Sequence, residues 1–266
     1  MARENNTQRV SLSRRALLGG ALFAGAYGVL KFGVPAISGL FPERLEFQEL
    51  DTPMGFRSLD AGKSSVRFDP FVGLQKQDNS EISERISRDA AFFCETLFER
   101  ASSSESVVPI ASFSDYNCPY CKILTPMLAN LEAQSEDVVS VTWHEYPLLG
   151  ESSLLAAKGA LAAKRQGAYL AFHRRLMRGR LLVTPEYLEE LAKIDGLETE
   201  QFVLDLNGAD VLQEIQTSTA IARLFGFIGT PALVVGRTAV QGAIQESTLK
   251  QLIEMEREER EIRTCV

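Results

Sequence analysis

The stretch FSDYNCPYCK, residues 113–122, places Cys118 and Cys121 three residues apart, with a Pro-Tyr pair between them. It follows the apolar run VVPIASF, whose length and β-branched start predict a buried strand. Proline is favoured at the first position of a helix, and apolar residues at helical spacing follow the second cysteine. The stretch therefore predicts a strand that leads directly into a helix, with the cysteine pair at the junction.

The segments beyond this junction extend it into an α/β domain. VVSVTWHEY, residues 138–146, predicts a second strand, so strand, helix and strand form a βαβ unit whose parallel pairing would be right-handed. Residues 152–227 are mostly short helical segments separated by Gly, Pro or Asn. After a Gly-Thr-Pro tripeptide, the runs ALVV and AVQGAI predict a hairpin, and residues 246–263 predict a final helix.

The part of the chain before this domain divides in two. Residues 39–104 form an N-terminal extension, in which residues 41–78 show no sustained periodicity and receive no predicted role. Residues 81–100 carry apolar side chains at spacings of three and four, which predicts one amphipathic helix. Residues 105–266 are then expected to form one domain that includes the cysteine pair.

The first residues resemble an export signal. A basic start is followed by the uncharged run ALLGGALFAGAYGVL, residues 16–30, which suits a signal peptide better than a membrane span of about 20 residues. SRRALL resembles a twin-arginine signal, and an ordinary Sec signal and an uncleaved anchor are the alternatives. We expect residues 1–38 to be a signal peptide or signal anchor and the protein to be periplasmic, tethered to the inner membrane if the signal is uncleaved.

Composition limits the class of protein. The chain has 266 residues with 45% hydrophobic content, enough for one sizeable folded domain with appendages. Its formal net charge of -7 argues against nucleic-acid binding, because phosphate contacts require a basic patch. We therefore expect no nucleic-acid partner.

The cysteine pair itself has three alternative uses. A closed zinc site needs about four Cys or His ligands, and only His144 and His173 supply further imidazoles, so no metal or other cofactor is predicted, with Cu(I) capture by two thiolates as the nearest alternative. A structural disulfide, the second use, would close too short a loop to restrict the unfolded chain much. The third use is redox exchange, which export favours because disulfides persist in oxidising compartments.

Redox exchange gives each residue of the motif a role. A thiolate at a helix N-terminus is stabilised by unpaired N–H groups and the helix dipole, so we expect Cys118 to be the nucleophile. Cys121, one turn later and more enclosed, would resolve the mixed disulfide. Pro119 fixes the first helical φ angle, and Tyr120 is expected to be an exposed aromatic beside the sulfurs.

The ordered motifs resemble the DsbA family of exported thiol:disulfide oxidoreductases over residues 107–261. The matching pieces are DYNCPYCK at residues 115–122, EYPLLGESS at 145–153 and GFIGTPALVV at 226–235. The resemblance implies a thioredoxin fold with a helical domain, residues 152–227, inserted between its βαβ half and its β-hairpin half. It further implies that Pro231 is cis and faces the sulfurs, and that the backbone of Thr230 pairs with an extended substrate segment.

Two polar residues stand near the place where the family pattern is broken. Many relatives have a buried glutamate six residues before the first cysteine, and Ser112 stands there in this chain. We considered a proton relay from Ser112 through water to His144 on the second strand, with an ordinary strand position for His144 as the alternative. For His173 we expect a structural role.

The other two cysteines lie outside the matched motifs. Cys94 and Cys265 are expected either to form a second, structural disulfide or to remain a buried small side chain and a free terminal thiol. Both alternatives stay open at this stage.

The resemblance implies an oxidase that gives its disulfide to reduced exported proteins and is reoxidised by a membrane redox partner. Misoxidised exported proteins are the alternative substrates, since CPYC and a Thr before the cis-proline also occur in disulfide isomerase, reductase and copper-resistance relatives. A non-enzymatic protein that binds Cu(I) or peptides is the alternative from another class.

Overall fold

The computed structural model describes residues 45–60, 62–66, 80–99, 107–135, 137–179, 183–259 and 265. The predicted signal segment, residues 1–38, lies outside this part of the chain. Within the part that is described, no helix is both long and apolar enough to cross a membrane.

The described residues form six strands and nine helices, which we number in chain order. The strands are β1 (Gln48–Glu49), β2 (Arg57–Asp60), β3 (Val108–Ser114), β4 (Val139–Glu145), β5 (Ala232–Val235) and β6 (Thr238–Gln241). The helices are α1 (Ser80–Arg88), α2 (Ala90–Leu97), α3 (Pro119–Gln134), α4 (Glu151–Arg165), α5 (Tyr169–Arg178), α6 (Pro185–Ile194), α7 (Thr199–Leu206), α8 (Ala209–Leu224) and α9 (Glu246–Glu258).

All six strands form one sheet in the order β1-β2-β6-β5-β3-β4. The central strand β3 pairs in parallel with β4 and antiparallel with β5, and β5 pairs antiparallel with β6. The helices α4 to α8 lie in the chain between β4 and β5. The predicted thioredoxin fold, with a helical domain between its βαβ half and its hairpin half, is confirmed.

Side chains of β3 alternate between two apolar layers, as the two-residue repeat of a strand requires. Ile110 points to the layer that contains Leu124 of α3 and Leu252 of α9. Ala111 and Phe113 point to the opposite layer, which is covered by α1, α2 and α8. Every residue of β3 is buried, so the strand that leads to the cysteine pair lies in the centre of the core.

The helical insertion has its own core. Apolar side chains of α4 to α8 pack together, and the same cluster includes both cysteines of the CPYC motif and Tyr116. The N-terminus of α3 therefore lies where the sheet half of the molecule meets the helical insertion.

The N-terminal extension differs from its predicted form in two ways. Residues 81–100 were expected to form one helix, but Asp89 separates α1 from α2: its backbone is extended and its side chain accepts a hydrogen bond from Phe92 N at 2.9 Å. An N-cap of this kind begins a new helix. In the segment that received no predicted role, β1 and β2 extend the same sheet beyond β6.

Two long-range links attach the extension to the rest of the domain. Cys94 of α2 forms a disulfide with Cys265, across a sequence separation of 171 residues. Arg57 of β2, which is buried, bonds to Glu256 of α9 at 2.8 Å and to Thr238 of β6 at 2.8 Å. The boundary expected near residue 104 therefore does not separate two packing units.

Candidate active site

The two cysteines of the CPYC motif occupy the N-terminus of α3. Cys118 is the N-cap, with φ −79° and ψ 117°, and Pro119 follows it at the first helical position. The Cys118 sulfur accepts a hydrogen bond from Cys121 N at 3.3 Å. Both cysteines are free thiols and fully buried. The residues of the motif therefore adopt the helix start that the sequence predicts.

The two thiols differ in acidity. The pKa of Cys118 is lowered to about 6, chiefly by a hydrogen bond from the Cys121 side chain, with further help from Ser65 and Thr230. The pKa of Cys121 is raised far above its usual value by burial and by the neighbouring Cys118. One sulfur is thus mostly a thiolate at neutral pH, and the other keeps its proton.

The segment opposite the sulfurs carries the predicted cis-proline. The Thr230–Pro231 peptide bond is cis, and Thr230 is fully buried. The thiol of Cys118 donates a hydrogen bond to Thr230 O at 3.2 Å. This hydrogen bond brings Thr230 to Cys118, and the implied position of Pro231 facing the sulfurs stays a prediction.

The backbone of Thr230 is not free for a substrate segment in this structure. Ser65 N donates to Thr230 O at 2.6 Å, and Thr230 N donates to Ser65 O at 3.0 Å, which forms an isolated antiparallel bridge. The protein's own N-terminal extension thus occupies these backbone groups in this structure, and pairing of Thr230 with a substrate segment stays a prediction. Sequence reasoning missed Ser65, since its segment has no periodic pattern.

Tyr120 also differs from its expected environment. It is half-buried rather than exposed, and it packs against the apolar core of the helical insertion. The neighbouring Lys122 donates a hydrogen bond from Nζ to Gly179 O at 2.8 Å. Both side chains therefore connect the start of α3 to the helical insertion.

A buried carboxylate explains why two of the quoted motifs occur together. Asp115 Oδ1 accepts hydrogen bonds from Asn117 N at 2.7 Å and from Ser153 Oγ at 2.6 Å, and its Oδ2 accepts one from Leu149 N at 2.8 Å. Burial raises the pKa of Asp115, although these hydrogen bonds oppose the rise. Asp115 thus joins DYNCPYCK to EYPLLGESS and fixes the turn before Cys118.

A second buried polar cluster lies beside Tyr116, two residues before Cys118. The hydroxyls of Tyr116 and Tyr169 each donate to Glu145 Oε1 at 2.7 Å, and Tyr116 Oη lies 2.7 Å from His173 Nδ1. Burial, together with the charge of Glu145, raises the pKa of both tyrosines well above the usual value. His173 is fully buried in this cluster, where a structural role remains our prediction. Glu145 was missed, although a charged residue at the end of an apolar strand is a usable signal.

The relay from Ser112 to His144 is contradicted by the strand register. Ser112 is opposite Trp143 and Phe113 is opposite His144, so Ser112 and His144 project from opposite faces of the sheet. His144 stacks on Phe113 with ring centroids 4.5 Å apart, and its ring nitrogens lie 3.0 Å from Ser218 Oγ and 3.1 Å from Leu97 O. Ser112 Oγ has no hydrogen-bond partner among the described residues.

The described residues contain no group of three or more His, Cys, Asp and Glu side chains that could hold a metal ion. Cys118 and Cys121 remain a pair of adjacent sulfurs at one helix terminus. The arrangement suits thiol–disulfide exchange, which needs one reactive thiolate, one resolving thiol and a backbone edge opposite them.

Comparison with known proteins agrees with this geometry. Residues 109–254, more than half of the chain, match the family described as "DSBA-like thioredoxin domain". A curated sodium/proton antiporter, NhaA of Herminiimonas arsenicoxydans, is 23% identical over 153 residues. That alignment covers 58% of this chain and 24% of the antiporter, so the chain matches about a quarter of the length of that relative.

Solved structures of similar proteins extend over the same region. A thioredoxin-like oxidoreductase from Silicibacter pomeroyi DSS-3 is 34% identical with a TM-score of 0.56, covering 62% of this chain and 97% of that one. The catalytic domain of Proteus mirabilis ScsC is 30% identical with a TM-score of 0.54, covering 62% and 94%. A periplasmic thioredoxin-like protein from Salmonella enterica serovar Typhimurium is 29% identical with a TM-score of 0.51, covering 69% and 99%.

Proposed function

The chain belongs to the family of DSBA-like thioredoxin domains, and on that premise we propose that it is an oxidase that introduces disulfides into exported proteins. The reacting residues are Cys118 and Cys121. Pro119, Tyr120, Thr230 and Pro231 support the site and its contacts with the substrate.

The observation that carries this proposal is the difference in acidity between the two thiols. The pKa of Cys118 is about 6, whereas that of Cys121 is raised. In the reduced protein at neutral pH, Cys118 is a thiolate that its surroundings stabilise. A stabilised reduced form favours release of the disulfide to a substrate.

The exchange proceeds in two balanced steps. A substrate thiolate attacks the Cys118 sulfur of the oxidised protein, the Cys118–Cys121 bond breaks, and Cys121 leaves as a thiolate that takes up a proton. A second thiolate of the substrate then attacks the substrate sulfur of the mixed disulfide, and Cys118 leaves as a thiolate. A thiol of low pKa is the better leaving group, so the second step is favoured.

The size of the pKa shift of Cys118 makes isomerase or reductase activity the second candidate function. A pKa of about 6 stabilises the reduced form at pH 7 by at most about 1.4 kcal/mol, or about 30 mV for two electrons. The known extremes are near −120 mV for a strong oxidant and near −270 mV for thioredoxin. We expect a potential between these values, and similarity to the ScsC catalytic domain is compatible with either direction.

The proposed location is the periplasm. The basic and apolar layout of residues 1–38 and the similarity to a periplasmic thioredoxin-like protein of Salmonella support it. The proposed partners are reduced or misoxidised exported proteins and a membrane redox protein that restores the Cys118–Cys121 disulfide.

The first test measures the reduction potential and the refolding activity of the same preparation. We expect a potential less negative than about −270 mV and catalysed formation of native disulfides in a reduced substrate protein. The control is the variant Cys118→Ala, which should be inactive. A reduction potential at the thioredoxin value would support isomerase or reductase activity instead, if the protein also refolds a substrate with scrambled disulfides but not a reduced substrate. Full activity of Cys118→Ala, or tight Cu(I) retention without turnover, would overturn the redox assignment.

A further inference from the structure

The nucleophilic sulfur is covered in this structure. Cys118 has 0% exposure, although an attacking thiolate must reach the disulfide of another protein. Thr230, whose carbonyl accepts the Cys118 thiol hydrogen bond, is also fully buried. Exchange with a protein substrate therefore requires part of the site to move.

The segment that contacts both residues is residues 62–66, which we call the docked segment. Its central residue, Ser65, uses its N–H and its carbonyl to bond the two backbone groups of Thr230. The Cys118 thiol donates to the same carbonyl of Thr230, and the Ser65 side chain helps to lower the pKa of Cys118. Ser65 thus occupies the backbone position that adjoins the reactive sulfur.

The docked segment follows the surface beside the cis-proline closely. A Cβ atom on Gly229 would lie 2.7 Å from Ser65 O and 2.8 Å from a methyl carbon of Val66, so only glycine permits this approach. Ala243 N donates a hydrogen bond to Lys63 O at 2.9 Å and fixes the other end of the segment. The contact is an isolated antiparallel bridge to Thr230 together with a backbone hydrogen bond to the residues that follow β6.

The same segment has few features that would hold it permanently. Its described attachment to the domain is three backbone hydrogen bonds, and Val66 exposes 49% of its surface. A segment with little buried apolar surface and few hydrogen bonds opens locally at low cost. The docked segment can therefore leave while the rest of the sheet stays folded.

From these contacts we propose that the docked segment is an internal stand-in for the substrate. It occupies the antiparallel position on Thr230, and Ser65, which has the shape of a cysteine with oxygen in place of sulfur, takes the place of the substrate cysteine opposite Cys118. Substrate binding exchanges this strand for an extended peptide. The proposal rests on thiol–disulfide exchange at Cys118 and adds a step before it.

The surface around the site indicates the partner. Ile123 is 71% exposed and Ile228 is 66% exposed, and they lie close in sequence to Cys121 and Thr230. Large exposed apolar side chains this close in sequence to the reacting groups suit an extended, unfolded segment with apolar residues flanking its cysteine. A folded protein with a buried cysteine cannot supply such a strand.

The position of Ser65 is tested by cross-linking. In a Cys121→Ala background, Ser65→Cys should form a disulfide with Cys118 when treated with glutathione disulfide. The two thiols lose two protons and two electrons, and the reagent becomes two molecules of glutathione. The matched control is Ser64→Cys, because the Ser64 hydroxyl faces Gly229, at 3.1 Å from the position that a Cβ atom there would take. Equal cross-linking of the two variants by peptide mass mapping would contradict the placement.

Release of the segment is tested by alkylation of Cys118 with iodoacetamide in the reduced full-length chain across pH 4 to 9. We expect the wild-type rate to rise with a midpoint near pH 6, since the thiolate reacts. Ser65→Pro removes the N–H that bonds Thr230 O, and should raise the plateau rate at least about tenfold. Ser65→Ala keeps both backbone bonds, so its plateau should match the wild type while its midpoint moves to higher pH. Equal plateaus for Ser65→Pro and wild type would overturn the proposal.

Amide hydrogen exchange gives a readout that does not depend on the folding of the proline variant. In Cys121→Ala, the Cys118 thiolate displaces 2-nitro-5-thiobenzoate from the cysteine of an activated peptide and forms a disulfide with that cysteine. The Ser65 amide should then lose protection while the Thr230 amide stays protected by the peptide. Unchanged protection of Ser65 would overturn the proposal. None of the three measurements requires catalytic turnover, so failure of the proposed oxidase function would be seen separately in the refolding assay.

Discussion

This protein has two pairs of cysteines, which differ in the sequence separation of the partners and in whether the two sulfurs are bonded. Cys118 and Cys121 are three residues apart at one helix terminus, and the structure describes them as free thiols of unequal pKa. Cys94 and Cys265 are 171 residues apart and are joined as a disulfide. Both pairs lie in apolar clusters, but the Cys118 sulfur of the first pair also hydrogen-bonds Cys121 N and Thr230 O.

The difference shows what decides the use of a cysteine pair. A bond that closes a loop of 171 residues removes much of the freedom of the unfolded chain, so breaking it costs stability. A bond within one turn of helix removes little, so it can be broken in each catalytic cycle. Hydrogen bonds to one sulfur then determine which thiol attacks. Loop size and the hydrogen bonds made by one sulfur therefore separate a structural pair from a redox pair.

The largest expected effect is on exchange activity. Cys118→Ala removes the attacking atom and should lower the exchange rate with a model disulfide peptide at least about 10³-fold. Cys265→Ala, which breaks the other pair, should stay within about twofold of wild type, because the two pairs lie in different apolar clusters. The rates are measured by stopped-flow fluorescence. A Cys265→Ala loss as large as that of Cys118→Ala would remove the functional distinction between the pairs.

The next effect is on stability. Cys94→Ala/Cys265→Ala should lower the free energy of unfolding by about 2–5 kcal/mol, because the unfolded chain regains the freedom of the long loop. The matched control, Cys118→Ala/Cys121→Ala, removes as many sulfur atoms and should cost no more than about 2 kcal/mol. Urea unfolding followed by circular dichroism compares the two. Equal losses would show that cavity formation, rather than loop closure, dominates.

Much of the fold and of the redox pair was predictable because the signals are local. The periodicity of residues 107–146 predicts the strands and the intervening helix, and proline after Cys118 predicts where that helix begins. The cis-proline was expected only through the family resemblance, since an X–Pro bond is cis in about 5–6% of cases. The helices of residues 152–227 were predicted from the sequence, and only their place as an insertion in a thioredoxin fold came from the resemblance.

The features that were missed depend on contacts distant in sequence. Strands β1 and β2 are two and four residues long, too short for a periodic pattern, and they become strands only by pairing at the sheet edge. Ser65 is held at the site by its bridge to Thr230, which lies far from it in the sequence. The break at Asp89 carried a usable cap signal, but the apolar spacing continued across it and predicted one helix.

The smallest expected effect on exchange concerns His144, on the sheet face away from both sulfurs. His144→Gln can keep hydrogen bonds to Leu97 O and Ser218 Oγ, so exchange and its pH midpoint should stay within about twofold of wild type. A shifted midpoint would restore the relay that the register contradicts.

The same substitution should nevertheless change the stability of the protein at acid pH. Burial lowers the pKa of His144 in the folded state. Below about pH 6.5 the unfolded chain binds a proton at this residue that the folded chain does not, so stability falls as pH decreases through that value. Glutamine binds no proton, so the fall between pH 6.5 and 5 should be smaller in the variant, as urea unfolding at each pH would measure. If the variant exchanges disulfides normally and its stability falls less at acid pH, the role of His144 is to stabilise the fold. It would then share that role with the Cys94–Cys265 disulfide rather than take part in disulfide exchange.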